Sequence, residues 1–153
     1  MGTAVAPGIG TIAGGVAGNK LRQTMLDRKS RKTKVFISFD FDHDRRLKDL
    51  ILGQARHPDA PFKIINRSLK EAAPEPKWEA KANASIRRSD LVLVLLGERT
   101  YRAQGVLKEV KMARAAGVPI AQLIGYRHGR YTAVANAGRV YAWTRENLYK
   151  LFR

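Results

Sequence analysis

The run Leu91-Val92-Leu93-Val94-Leu95-Leu96 decides the fold. Six aliphatic residues in succession leave neither face of a strand polar, and Asp90 and Gly97 bound the run. A strand buried on both faces is a central strand of a parallel sheet, because helices must cover both sides of it. Outward from this run, β-rich apolar stretches alternate with helical spacings. Residues 34–39 and 62–65 predict strands before it, and residues 119–124 and 139–143 predict strands after it, the last at an edge. Helices are predicted over residues 45–56 through Leu47, Leu50 and Ile51, and over 75–88 through Trp78, Ala82 and Ile86. Two more are predicted over 102–116, closed by Gly117, and over 145–152, capped by Thr144. The alternation implies an α/β domain of the flavodoxin-like, doubly wound kind, with a parallel five-stranded sheet. Ligands of such sheets bind beyond the carboxyl ends of the strands. The loops to search are therefore residues 39–44, 66–77, 97–106 and 125–138.

Composition narrows the chemistry. The chain has 153 residues, with 29 Lys and Arg against 13 Asp and Glu, and a net charge of +16. That length fits one domain, and a hydrophobic content of 44% suits a packed core. Without cysteine there is no disulfide scaffold, thiolate zinc site or cysteine nucleophile. The histidines, His43, His57 and His128, do not stand at metal-ligand spacing, so no metal site is expected. The charge calls for an anionic partner, which a nucleotide, a nucleic acid or a membrane surface would satisfy.

The domain is expected over residues 34–153, behind a Gly/Ala-rich and then basic N-terminal extension over residues 1–33. Gly8-Ile9-Gly10 begins like a dinucleotide fingerprint, but no strand precedes it. Gly18-Asn19-Lys20 lacks the Gly-Lys step and the following Ser or Thr of a phosphate-binding loop. Gly10, Gly14 and Gly18 stand four apart, a spacing that lets helix backbones approach closely. The extension reads either as a flexible tail or as a membrane or assembly contact through residues 2–33. A cytoplasmic protein, with membrane association through this segment as the variant, is the corresponding expectation.

At the carboxyl ends, Asp40, Asp42 and Asp44 crowd one turn. A magnesium-dependent phosphoreceiver would also need an Asp after the third strand and a Lys after the fourth. Leu96-Gly97 and Gly125-Tyr126 stand there instead, so that class is excluded. Helix capping and dipole complementation is the plainer role for these acids. Glu109 lies about one turn into the helix after the central strand. A solvated helix glutamate is the plain alternative, although Gly105 and Ala113, four residues away on either side, offer it no partner.

These residues carry a resemblance. Lys34-Val35-Phe36-Ile37-Ser38-Phe39 resembles the opening strand of TIR domains. Residues 89–100 resemble the third strand and following loop of the TIR-like family typified by the Thoeris antiphage protein. Gly105-Val106-Leu107-Lys108-Glu109 falls where that family and NAD-cleaving TIR domains have Trp-x-x-x-Glu, with Gly105 at the tryptophan position. The resemblance covers residues 34–125.

It implies that Glu109 is the catalytic glutamate of an NAD+ glycohydrolase or ADP-ribosyl cyclase that takes NAD+ as substrate, needs no resident cofactor and assembles as a homo-oligomer. Cleavage of the nicotinamide–ribose bond builds positive charge on the ribose, which a carboxylate stabilises. Nicotinamide leaves neutral, so no strong general acid is required. Water as nucleophile gives ADP-ribose; an internal nucleophile gives a cyclic or conjugated signal. Lys70, Lys77, Arg99 and Arg102 are the candidate pyrophosphate cations, or else surface charges. Phe39 is a candidate stacking ring or a core residue, and Asp40 and Asp44 complete the expected substrate-binding set. The alternative function is a non-catalytic TIR-like interaction module working through the sheet edge or the 66–77 loop. Nucleic-acid binding is disfavoured, because no RNA-binding or zinc-finger signature appears and the aromatics do not interleave with the basic run. Any such binding is expected to need residues 20–33.

Overall fold

The computed structural model describes residues 31–66 and 77–152. Nearly all of the N-terminal extension and its glycine spacing, and most of the 66–77 loop with Lys70, lie outside the described residues. Five strands form one all-parallel sheet: β1 (Thr33–Ser38), β2 (Phe62–Ile64), β3 (Leu91–Leu96), β4 (Ile120–Ile124) and β5 (Val140–Ala142). Their spatial order is β2-β1-β3-β4-β5, the flavodoxin-like doubly wound arrangement, with β3 at the centre.

Alternation along β1 and β3 sorts the core onto two faces. Val35, Ile37, Leu91, Leu93 and Leu95 pack with Leu47 and Ile51 of α1 (Arg45–Ala55) and with Leu148. Phe36 and Val92 point the other way, onto Ala82 and Ile86 of α2 (Trp78–Arg87) and Ala113 of α3 (Gln104–Ala116). Val94 and Leu96 meet Val106 and Val110 of α3 on that same side. A last helix, α4 (Arg145–Leu151), covers the first face, and Thr144 Oγ1 accepts a 3.1 Å bond from the Asn147 amide as its N-cap. Among the described residues, no helix is long and apolar enough to cross a membrane.

Most elements differ from the expected bounds by a residue or a few, and two of the departures have local reasons. The helix expected from residue 102 begins at Gln104, preceded by a separate 3-10 turn at Thr100–Arg102. Ala103 divides them, because its extended backbone (φ −69°, ψ 118°) interrupts the helical ladder. The edge strand β5 keeps only three residues, because β4 alone pairs with it. Gly117 closes α3 as expected, in the left-handed conformation at φ 70° that glycine adopts without steric cost.

Candidate functional site

Two polar clusters form where β1 ends. The first follows from strand alternation. Ser38, the last residue of β1, lies two positions beyond Phe36 and so points to the side that α3 covers. Glu109 lies on α3 beside Val110 and one turn after Gly105. Ser38 Oγ donates a 2.7 Å hydrogen bond to Glu109 Oε1. Glu109 is only 1% exposed and Ser38 is fully buried. The solvated-glutamate alternative is therefore wrong: the side chain enters the interior, and the neighbouring Lys108 pairs with Glu79 across the helix gap at 2.7 Å. Gln122 of β4 is buried on the same side of the sheet. Its side chain binds the Val134 amide and the carbonyls of Val134 and Gly138, which fixes the loop before β5.

The second cluster is built on the turn after β1. Asp44 occupies the N-cap position of α1 without making a side-chain cap, which corrects the capping role read from sequence. Its carboxylate turns inward and is 3% exposed. Tyr126 Oη donates to Asp44 Oδ1 at 3.0 Å, and Thr100 Oγ1 lies 3.3 Å from Asp44 Oδ2. Thr100 Oγ1 also accepts from the Gly97 amide at 2.7 Å. One carboxylate thus ties together the loops after β1, β3 and β4. Gly97 makes the approach possible, because a Cβ there would overlap the Asp44 carboxylate. Burial pushes the Asp44 carboxyl above its ordinary range. The Tyr126 bond opposes that rise, the Asp40 charge adds to it, and Thr100 and His43 oppose it. Burial, and then the bond to Asp44, raise Tyr126 in turn.

Asp40, also buried, receives the Asp42 amide at 3.1 Å and pairs with His43 Nδ1 at 2.7 Å. Arg99 Nη1 reaches His43 Nε2 at 2.7 Å. A guanidinium only donates, so Nε2 accepts and Nδ1 carries the proton that it gives to Asp40. Asp40, His43 and Arg99 therefore form one chain between the loops after β1 and β3.

The fold thus brings Asp40, Asp44, Arg99 and Glu109 to one end of the sheet. Phe39 is there too, but its ring is 2% exposed and belongs to the core beside Leu47 and Ile51. Lys77, before α2, and Arg102, beside the Tyr101 ring, are exposed. Ser38, His43, Thr100 and Tyr126 were not among the sequence candidates. A serine closing an otherwise apolar strand at its carboxyl end was a usable signal for Ser38. The others come from loops whose meeting no local pattern reports. Among the described residues, no group of three or more His, Asp or Glu side chains is arranged to hold a metal ion.

An all-parallel five-stranded sheet of order β2-β1-β3-β4-β5, covered by helices on both faces, defines a flavodoxin-like α/β domain. Residues 36–125 match the family described as Thoeris protein ThsB, TIR-like domain, and the chain belongs to that family. No curated protein matches the chain.

Proposed function

We propose that this chain cleaves NAD+ at the nicotinamide–ribose bond, with Glu109 as the catalytic carboxylate. The Ser38–Glu109 hydrogen bond carries this reading. It holds a carboxylate in a fixed orientation inside the fold, at the sheet end where doubly wound domains bind nucleotides. Preorganised negative charge in a water-poor site stabilises the positive ribose that forms as nicotinamide departs. Water then adds to the anomeric carbon and releases a proton to solvent to give ADP-ribose, or a hydroxyl (which likewise releases its proton) or a ring nitrogen of the same molecule adds to give a cyclic signal. Arg99, held by His43, is the cation best placed for the pyrophosphate, with Arg102 and Lys77 further candidates. NAD+ is the substrate, and self-association through TIR-like contacts brings the chain to its active state. Membership of the Thoeris family supports a role in antiphage defence.

The burial of Glu109, together with Gly105 one turn before it, favours a second reading: a non-catalytic assembly module in which the Ser38 bond is structural. Incubation with NAD+ at high protein concentration separates the two. The first reading expects nicotinamide release that Glu109→Gln abolishes. Self-association without release, or release unchanged in the variant, sinks it.

A further inference from the structure

Arg99 donates from Nη1 to His43 Nε2 at 2.7 Å, and among the described residues it makes no other hydrogen bond or ion pair. Other cations of the chain pair with acids: Lys108 with Glu79 at 2.7 Å, and Lys150 with Glu146 at 3.7 Å. Arg99 instead gives its bond to a neutral ring nitrogen. Asp40 stands on the far side of that ring, and its oxygens are already engaged by the Asp42 amide at 3.1 Å and by His43 Nδ1 at 2.7 Å. The guanidinium is therefore oriented without being neutralised, and the rest of its planar fork of N–H donors is left to other partners. The anchor is firm. Asp40 is buried, and its carbonyl accepts the amides of His43 and Asp44, which closes the turn. The half-exposed imidazole reaches outward from it.

We propose, on the reading of this sheet end as a dinucleotide site, that His43 is a positioning residue: its neutral, Nδ1-protonated ring aims the Arg99 guanidinium at a phosphate of the substrate, and Asp40 fixes the tautomer. A histidine with one nitrogen tied to a buried carboxylate presents the other as a fixed acceptor. An arginine held by that acceptor has already given up rotamer freedom, so the ligand does not have to supply the ordering. A carboxylate in the place of His43 would hold the guanidinium as firmly but would cancel the charge that attracts phosphate. The charged planar fork matches two oxygens of one phosphate. Placement along the chain agrees. Asp40 follows Ser38, the partner of Glu109, by two residues, and two residues of chain span at most about 7 Å. In NAD+ only the ribose lies between the reacting carbon and the nearer phosphate, so the cation and the carboxylate must stand close together. Arg102, 5.8 Å over the Tyr101 ring, and Lys77, exposed before α2, have no polar side chain among the described residues to aim them.

Calorimetric titration of the full chain with ADP-ribose, which carries the pyrophosphate but has no nicotinamide to lose, tests the assignment beside three variants. Arg99→Ala is expected to weaken binding roughly 10- to 100-fold. His43→Asn keeps a donor towards Asp40 but loses the acceptor for Arg99, and is expected to weaken binding roughly fivefold. His43→Gln brings an amide oxygen to the Nε2 position and is expected to bind within about twofold of the parent. A role in holding the turn alone would reverse the order of the last two, because asparagine retains the Asp40 bond and glutamine gives it up. With NAD+, His43→Asn is expected to raise KM and leave kcat at the parent value. Failure of the parent to bind ADP-ribose would overturn the assignment, as would asparagine binding like the parent, or glutamine falling to the level of asparagine. NAD+ cleavage by the parent, with ADP-ribose binding that no variant alters, overturns this assignment alone. ADP-ribose binding in the expected order without NAD+ cleavage overturns the catalytic reading alone.

Discussion

Ser38 and Glu109 are 71 residues apart in the chain and meet at 2.7 Å, buried, where the first strand ends under the helix that follows the central one. Ser38→Ala removes that donor and leaves a polar atom of a buried carboxyl with one bond fewer. Urea denaturation is expected to show a loss of about 1–3 kcal/mol. If Glu109 is catalytic, nicotinamide release falls as well while Glu109 itself is intact.

Gly97 allows the Asp44 carboxylate to lie against the backbone after β3. Gly97→Ala places a methyl group into that carboxylate, which Tyr126 and Thr100 hold in position. The expected cost is about 1–3 kcal/mol, read from the denaturation midpoint. A variant as stable as the parent would mean that Asp44 is not held as described.

Asp44 makes stability depend on pH in a defined direction. Its carboxyl titrates above the ordinary value of 3.8 in the folded protein, chiefly through burial. Between the ordinary and the raised value, the folded state binds more protons than the unfolded state. This group's stabilising contribution is therefore complete below the ordinary value and is lost as pH rises through the folded one. Asp44→Asn removes that dependence while keeping an acceptor for Tyr126. Relative to the parent, the variant is expected to be more stable at about pH 7 than at about pH 4. Paired urea titrations at the two pH values check the sign, and the opposite trend would contradict the assignment.

Thr144 caps α4, which covers the face opposite Glu109. Thr144→Ala is expected to cost about 1 kcal/mol in thermal or urea unfolding. Nicotinamide release per folded molecule should remain that of the parent, which separates global stability from site chemistry.

The five strands and four helices were legible because burial on both faces of Leu91–Leu96, and the spacing of Leu47, Ile51, Ala82 and Ile86, are local consequences of strand and helix periodicity. Gly117 and Thr144 were legible for the same reason: caps answer to backbone geometry within a few residues. Glu109 was legible as a position but not as an environment. On spacing alone it passes for a surface residue, and only the covering of Ser38 by α3 shows that it is interior. The capping alternative for Asp44 fails because Thr100 and Tyr126, 56 and 82 residues away, compete for its carboxylate and prevail.

Periodicity thus carried the architecture, and the resemblance over residues 34–125 carried the family and singled out Glu109, since both rest on residues close together in the chain. Which polar groups meet at the carboxyl ends depended on chain crossings. Parallel strands return through helices, so residues far apart in sequence come within hydrogen-bonding distance, and helices far from one another in the chain come to share one side of the sheet.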